Sequence, residues 1–292
     1  MDTQSASGVA KRAKEIIEAK WWQLEKEVAS KRNAWFDTPE AASLMRAKPS
    51  PRTAFDAFFL TYMGLAPSDV PVVSETEDEI VWDSVNPCPT LEACALTGKD
   101  TREFCRAVYE RPTQHFLSRF DPELRFVRSY SEIRPHAAHC RESIVRVPFE
   151  PMMRIALDEA RQSKLEGNKG YGAVVTMGAE VISRAHDTAG TQRDPSKHAE
   201  VNALRLAVKK TGDPNLCGAI LFSTCEPCPM CASLAVWSNI TSFVYGASIE
   251  ETSALGRTRI QVGVRTIVEN SPACIEVIGG VLREECLQLY RY

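Results

Sequence analysis

No stretch of this sequence comes near the roughly 20 consecutive apolar residues that span a bilayer, which argues against a transmembrane helix. The opening Met1-Asp2-Thr3-Gln4 is polar and lacks an apolar signal core, so a cytoplasmic chain is expected. A basic excess is missing as well: 35 Lys and Arg stand against 38 Asp and Glu, a formal charge of −3. Binding to a phosphate backbone leaves a cationic footprint, so nucleic acid is not expected as a partner. Internal repeats and low-complexity tracts are absent too. What remains, with 44% apolar and 25% charged residues, is ordinary globular composition. At about 100–200 residues per domain, the 292 residues suit two domains.

Cysteine is the residue type that is not scarce. Ten of them in an intracellular chain point to thiols and metal rather than disulfides. Cys88, Cys94, Cys105 and Cys140, with His136 and His139 nearby, could bind a metal, but spacings of six and eleven fit no common zinc or iron–sulfur pattern. Packing as reduced thiols is the expectation for this group. Arg102, Arg106, Arg111, Arg119, Arg125 and Arg128 form a local cationic run, read as a solvated helix face, with reception of an anionic group as the alternative.

The chemistry concentrates further on, in Lys197-His198-Ala199-Glu200 and Cys225-Glu226-Pro227-Cys228-Pro229-Met230-Cys231. Each half opens a predicted helix. A zinc ion with three protein ligands and one open position needs donors that converge from such places, and His198, Cys228 and Cys231 supply an imidazole and two thiolates. Cys228 and Cys231 are three apart and share one face of a first helical turn, where the helix dipole favours thiolate. Glu200 is not needed as a ligand. Its carboxylate beside an activated water can take a proton and pass it to a leaving group. Cys225 would extend the run to C-x-x-C-x-x-C and suggest an iron–sulfur cluster, but it ends a predicted strand and leaves His198 and Glu200 unexplained. Glu226 is read as bonding to local backbone. H-x-E followed by P-C-x-x-C is the signature of zinc deaminases.

On these motifs, residues 149–292 resemble the cytidine deaminase superfamily, in the branch holding guanine deaminases and tRNA adenosine deaminases. The resemblance implies a three-layer α/β/α sandwich with a five-stranded mixed sheet and zinc between two helices. It also implies hydrolytic removal of an amine from a heterocycle, and a homodimer. No family is matched by the first half. The expected organisation is a mainly helical N-terminal domain of unknown role at 1–145 and a deaminase domain at 146–292.

Periodicity places the elements. Residues 1–8 read as a disordered start, and Ala10 to Lys31 as one helix, with Trp21 and Trp22 as a packing or partner-binding stripe. Pro39 and Pro51 each open a helix, the second running to Met63 with Phe55, Phe58, Phe59 and Tyr62 on its apolar side. Val70–Ser74 and Ile80–Val85 read as a hairpin. In the second half, strands are expected at 170–177, 180–185, 219–223, 242–246 and 275–278, with helices at 151–166, 196–210 and 227–237 and a last one at the C-terminus.

Substrate choice turns on three further residues. Relatives in the branch place an asparagine eleven residues before the zinc histidine, where this chain has Asp187. An ionised aspartate only accepts hydrogen bonds, which suits a ring presenting N–H groups or a positive charge. Arg257 and Arg259 fall in the stretch that lines the pocket of guanine deaminases, Arg259 at an acidic position of those enzymes, and offer forked donors to a carbonyl, carboxylate or phosphate. The expected substrate is therefore a free aminated heterocycle, such as a nucleobase or nucleoside. Editing of tRNA adenosine and a catalytically silent zinc scaffold are the alternatives.

Overall fold

A computed structural model describes residues 6–291, so residues 1–5 of the expected disordered start lie outside the described residues. The side chains of Trp21 and Trp22 lie outside the described residues too, and with them the aromatic stripe. The chain divides into two compact units, Met1–Val147 and Pro148–Tyr292.

The N-terminal unit opens with α1 (Ala6–Glu18) and α2 (Trp21–Trp35), so the single expected helix is two, interrupted at Ala19-Lys20. Next come α3 (Pro39–Leu44) and α4 (Pro51–Phe55), each with proline in its first turn and a hydroxyl cap, Thr38 for one and Ser50 for the other. The second of these continues as a π-helical segment, Asp56–Tyr62, which widens the turn while burying Phe58 and Phe59. The expected hairpin is present as β1 (Val72–Glu75) and β2 (Glu79–Ser84). Three helices follow, α5 (Pro89–Thr97), α6 (Thr101–Val108) and α7 (Glu110–Ser118), then β3 (Leu124–Arg128) and β4 (Cys140–Arg146).

The four strands form one antiparallel sheet in the order β1-β2-β4-β3. The unit is thus rich in helix but carries a sheet that sequence reasoning reached only in its first hairpin. Its core is aromatic: Trp35, Phe55, Phe58, Trp82 and Phe116 pack in one cluster, while α1, α2, α5 and α6 enclose a second around Leu24, Cys94 and Val108.

The arginine run corrects the helix-face reading. Arg111 is buried and its guanidinium donates to Glu25 at 2.7 and 3.2 Å, Arg125 is buried, and Arg128 lies on β3 with its Nε 2.8 Å from Glu142 Oε1. Only part of the run, such as Arg102 paired with Asp100, faces solvent. Buried guanidinium groups persist because each finds carboxylate or carbonyl acceptors; no periodicity in the sequence announces those distant partners.

The C-terminal unit is a three-layer α/β/α sandwich. Its elements are α8 (Phe149–Leu165), β5 (Gly172–Met177), β6 (Glu180–His186), α9 (Ala189–Gln192), α10 (Ala199–Thr211), β7 (Ala219–Cys225), α11 (Pro229–Trp237), β8 (Ser242–Ala247), α12 (Ile249–Ala254), α13 (Val264–Glu269), β9 (Glu276–Gly279) and α14 (Arg283–Gln288). The sheet order is β6-β5-β7-β8-β9, antiparallel at its β6, β5 and β7 pairings and parallel from β7 to β9. All seven residues of β7 are buried, as expected for a central strand covered on both faces. Gly172 allows α8 to lie against β5, since a Cβ there would stand 2.0 Å from the Ala156 carbonyl oxygen. The short helices α9, α12 and α13 were not legible as separate elements.

Candidate metal centre and active site

The two metal-site helices start where the sequence motifs do. His198 is the N-cap of α10 and Cys228 the N-cap of α11, both with extended backbone, and Pro229 follows Cys228 at the first helical position. Cys231 lies in the first turn of α11, fully buried. β7, which ends at Cys225, delivers the chain to α11.

These placements bring three donors together. His198 Nδ1 is 3.6 Å from Cys228 Sγ and 3.5 Å from Cys231 Sγ, and the two sulfurs are 3.6 Å apart. Tetrahedral zinc with bonds of about 2.0–2.3 Å sets its donors roughly 3.5–3.8 Å apart, so this triangle fits the ion. Among the described residues, His198, Cys228 and Cys231 are the one group of three or more such donors that could hold a metal ion. Cys225 stands outside it: its sulfur accepts from Arg259 Nη2 at 2.9 Å and lies 3.7 Å from Thr252 Oγ1. Cys94 is packed in the apolar cluster of the N-terminal unit.

The electrostatics of the triangle suit a cation. Hydrogen bonding from Cys231 outweighs burial and, with His198, holds the Cys228 thiol down to about 4. Cys231, which supplies that bond, is raised instead. A divalent ion held by His198, Cys228 and Cys231 would take both sulfurs as thiolates, with release of their protons.

Glu200 lies one helical step inside α10, 6% exposed, with Oε2 3.5 Å from Cys231 Sγ and Oε1 accepting from Ser223 Oγ at 3.2 Å. Burial raises its carboxyl above the ordinary range, and the neighbouring Cys228 adds to this against the opposing pull of His198 and Arg259. A carboxyl raised by burial holds its proton more readily than an exposed one.

Asp187 follows β6 and is 1% exposed; neither of its carboxylate oxygens has a hydrogen-bond partner. The next residue, Thr188, donates its amide to the Lys197 carbonyl at 3.0 Å, which brings Asp187 near His198; the His198 imidazole, raised chiefly by its hydrogen bond to Cys228, is raised by the Asp187 charge as well. Burying an unsatisfied carboxylate is costly, so this residue is held there against its own solvation. Arg259 joins the same region through Glu200 and Cys225, with its guanidinium 4.5 Å from the Tyr171 ring centroid. Arg257 sits one layer further off, 5.6 Å from the Tyr290 ring, which packs on Tyr171 at 5.2 Å. Tyr171 and Tyr290 were missed in the sequence because no motif surrounds either; their only signal is aromaticity next to a predicted strand and near the chain's last helix.

Glu226 bonds to backbone, as expected, but not to local backbone. Its Oε2 accepts from the Ile249 amide at 2.9 Å and its Oε1 from the Val264 amide at 2.8 Å, so one side chain ties the starts of α12 and α13 to the metal loop. Gly263 permits this, since a Cβ there would meet Oε1 at 2.7 Å.

Comparison with known proteins agrees with this geometry. Residues 148–247 match the family described as the cytidine and deoxycytidylate deaminase zinc-binding region. A tRNA-specific adenosine deaminase of Bacillus subtilis (strain 168) is 34% identical over 137 residues, 47% of this chain and 83% of that protein. A guanine deaminase of the same organism is 35% identical over 86 residues, 30% of this chain and 55% of that protein. A solved structure from a study of A-to-I editing by tRNA:A34 deaminases is 28% identical, covers 48% of this chain and 98% of its own, and has a TM-score of 0.43. The expectation that nucleic acid is no partner finds no support in relatives of this kind; it rested on a whole-chain charge of −3, which is silent about where charges lie. No helix among the described residues is long and apolar enough to cross a membrane. The chain belongs to the cytidine and deoxycytidylate deaminase family, with zinc as the metal of its C-terminal unit.

Proposed function

We propose that the C-terminal unit hydrolyses the exocyclic amine of a small aminated heterocycle, a nucleobase, nucleoside or similar ring, to the keto form with release of ammonia. The observation that carries this reading is the orphaned carboxylate of Asp187 beside the metal triangle. A buried acceptor with both oxygens open is matched by a ring that offers N–H donors along one edge.

In this reading His198, Cys228 and Cys231 hold the zinc, and Glu200 is the proton carrier. The zinc supplies Lewis acidity that makes water nucleophilic at neutral pH. Glu200 accepts a proton from the attacking water and delivers it to the ring nitrogen; it then carries the proton of the new hydroxyl group to the departing amine as that oxygen becomes the carbonyl. One C–O bond forms and one C–N bond breaks; water is consumed and ammonia leaves. Ser223 holds the Glu200 carboxylate from behind, at 3.2 Å. Arg259, whose charge reaches Glu200, is the donor this reading assigns to a carbonyl or anionic substituent on the same ring.

A second reading is deamination of adenosine within tRNA, favoured by the 34% identity to a tRNA-specific adenosine deaminase. Ammonia release from a panel of amino-purines, amino-pyrimidines and their nucleosides, run beside unmodified tRNA, separates the two. Turnover of a free ring, abolished in Glu200→Gln with zinc retained, supports the first reading. Turnover of tRNA alone overturns it.

A further inference from the structure

The N-terminal unit contains a cavity of about 290 Å³ that the deaminase chemistry does not use. This is near the lower end of the roughly 300–1,000 Å³ typical of small-ligand sites. Its charged lining is one-sided: four arginines, Arg12, Arg32, Arg128 and Arg134, against the single carboxylate of Glu142.

That carboxylate is already committed. Glu142 Oε1 accepts from Arg128 Nε at 2.8 Å, and Oε2 accepts from Ser84 Oγ at 2.7 Å and Trp82 Nε1 at 3.1 Å. Arg12 is answered by Glu15 and Glu27. Arg32 is 8% exposed and meets neutral oxygens, Thr113 Oγ1 at 2.7 Å, the Tyr109 carbonyl at 3.3 Å and the Tyr62 hydroxyl. Arg134 gives Nη1 to the Asn86 carbonyl at 2.8 Å while its buried Nε has no partner, and Arg128 Nη1 is buried without one as well. Thiolates do not balance the charge from Cys105: burial pushes that thiol up to about 12 despite Arg128 nearby.

Aromatic side chains, Phe58, Phe59 and Phe126, form much of the apolar part of the lining. The Arg32 guanidinium lies over the Phe58 ring, 4.7 Å from its centroid, and that of Arg128 over Phe126 at 5.1 Å, so both cations sit on aromatic faces. Buried guanidinium donors left open above an aromatic wall are matched by an anionic group on a ring-sized apolar body.

We propose that this cavity is a second, separate ligand site, which binds a small aromatic anion through Arg32, Arg128 and Arg134. The proposal goes beyond the deaminase reading and does not depend on it. Calorimetric titration of the full zinc-loaded chain with benzoate, phenyl phosphate, benzyl alcohol and inorganic phosphate tests it. Benzoate or phenyl phosphate is expected to bind at least tenfold more tightly than benzyl alcohol and inorganic phosphate, and the stronger of the two tells carboxylate from phosphate. Arg32→Gln should weaken that binding at least tenfold. Arg134→Gln, at a partly exposed position, should weaken it severalfold and decides the matter should Arg32→Gln fail to fold. Benzyl alcohol binding as tightly as the anions, no binding of either aromatic anion, or parental affinity in a folded Arg134→Gln protein would overturn the proposal.

Discussion

Ser223 Oγ donates to Glu200 Oε1 at 3.2 Å, from a central strand whose every residue is buried to the first turn of the helix that carries His198. In the reaction proposed above, such a fixed support keeps the Glu200 carboxylate from swinging away between proton transfers. A hydrogen bond to a charged group contributes about 1.5–3 kcal/mol. Ser223→Ala is therefore expected to lower kcat by roughly tenfold to a hundredfold, with zinc content unchanged. Metal analysis beside steady-state kinetics checks this, and an unaltered kcat would remove Ser223 from the positioning role.

Asp187 gives a test that reads in two directions. An unsatisfied buried carboxylate destabilises the fold by about 1–3 kcal/mol, so Asp187→Asn should raise the thermal midpoint while slowing deamination of the best substrate at least tenfold. Stability gained as activity is lost marks a group kept for its ligand. A variant that is both less stable and fully active would show that the carboxylate serves the fold.

Glu226 makes the opposite prediction. Removing it in Glu226→Ala leaves the Ile249 and Val264 amides open in a buried setting, at about 1–3 kcal/mol each. The zinc-loaded protein should lose about 2–5 kcal/mol in urea unfolding, and Glu226→Gln, which keeps one acceptor, should lose less. Equal midpoints for the parent and the alanine variant would sink this account.

His186 supplies a pH dependence. Burial alone would lower its pKa, but Glu159 at 2.8 Å and Glu166 at 3.0 Å raise it above its ordinary 6.5, and Arg184 also pairs with Glu159 from the same strand. A raised pKa in the folded chain means that the protonated ring stabilises it. The contribution is complete below the unfolded value and fades as pH rises through the folded one. The gap in thermal midpoint between the parent and His186→Gln should thus be largest in mild acid and shrink as pH rises past neutrality. A gap that stays constant with pH would refute the linkage.

Much of the metal centre was legible because its logic is local. Cys228 and Cys231 are one helical turn apart, and Glu200 is fixed by its neighbour His198. The apolar runs of β5, β7 and β8 announced the sheet for the same reason. What stayed hidden depends on distant partners. β3 and β4 carry Arg125, Arg128 and Glu142, whose charges break the expected alternation and are satisfied only after folding, Arg128 by Glu142 across the strand pair. The role of Cys225 likewise needed Arg259, 34 residues on.

The grip of Glu226 on both Ile249 and Val264 moors the stretch between them at its two ends, and Arg259 ties its middle back to Cys225 at the end of β7. Residues 250–263 are thus one braced loop, in which a change at Cys225, Thr252 or Arg259 is expected to be felt at the strand that leads into the metal helix.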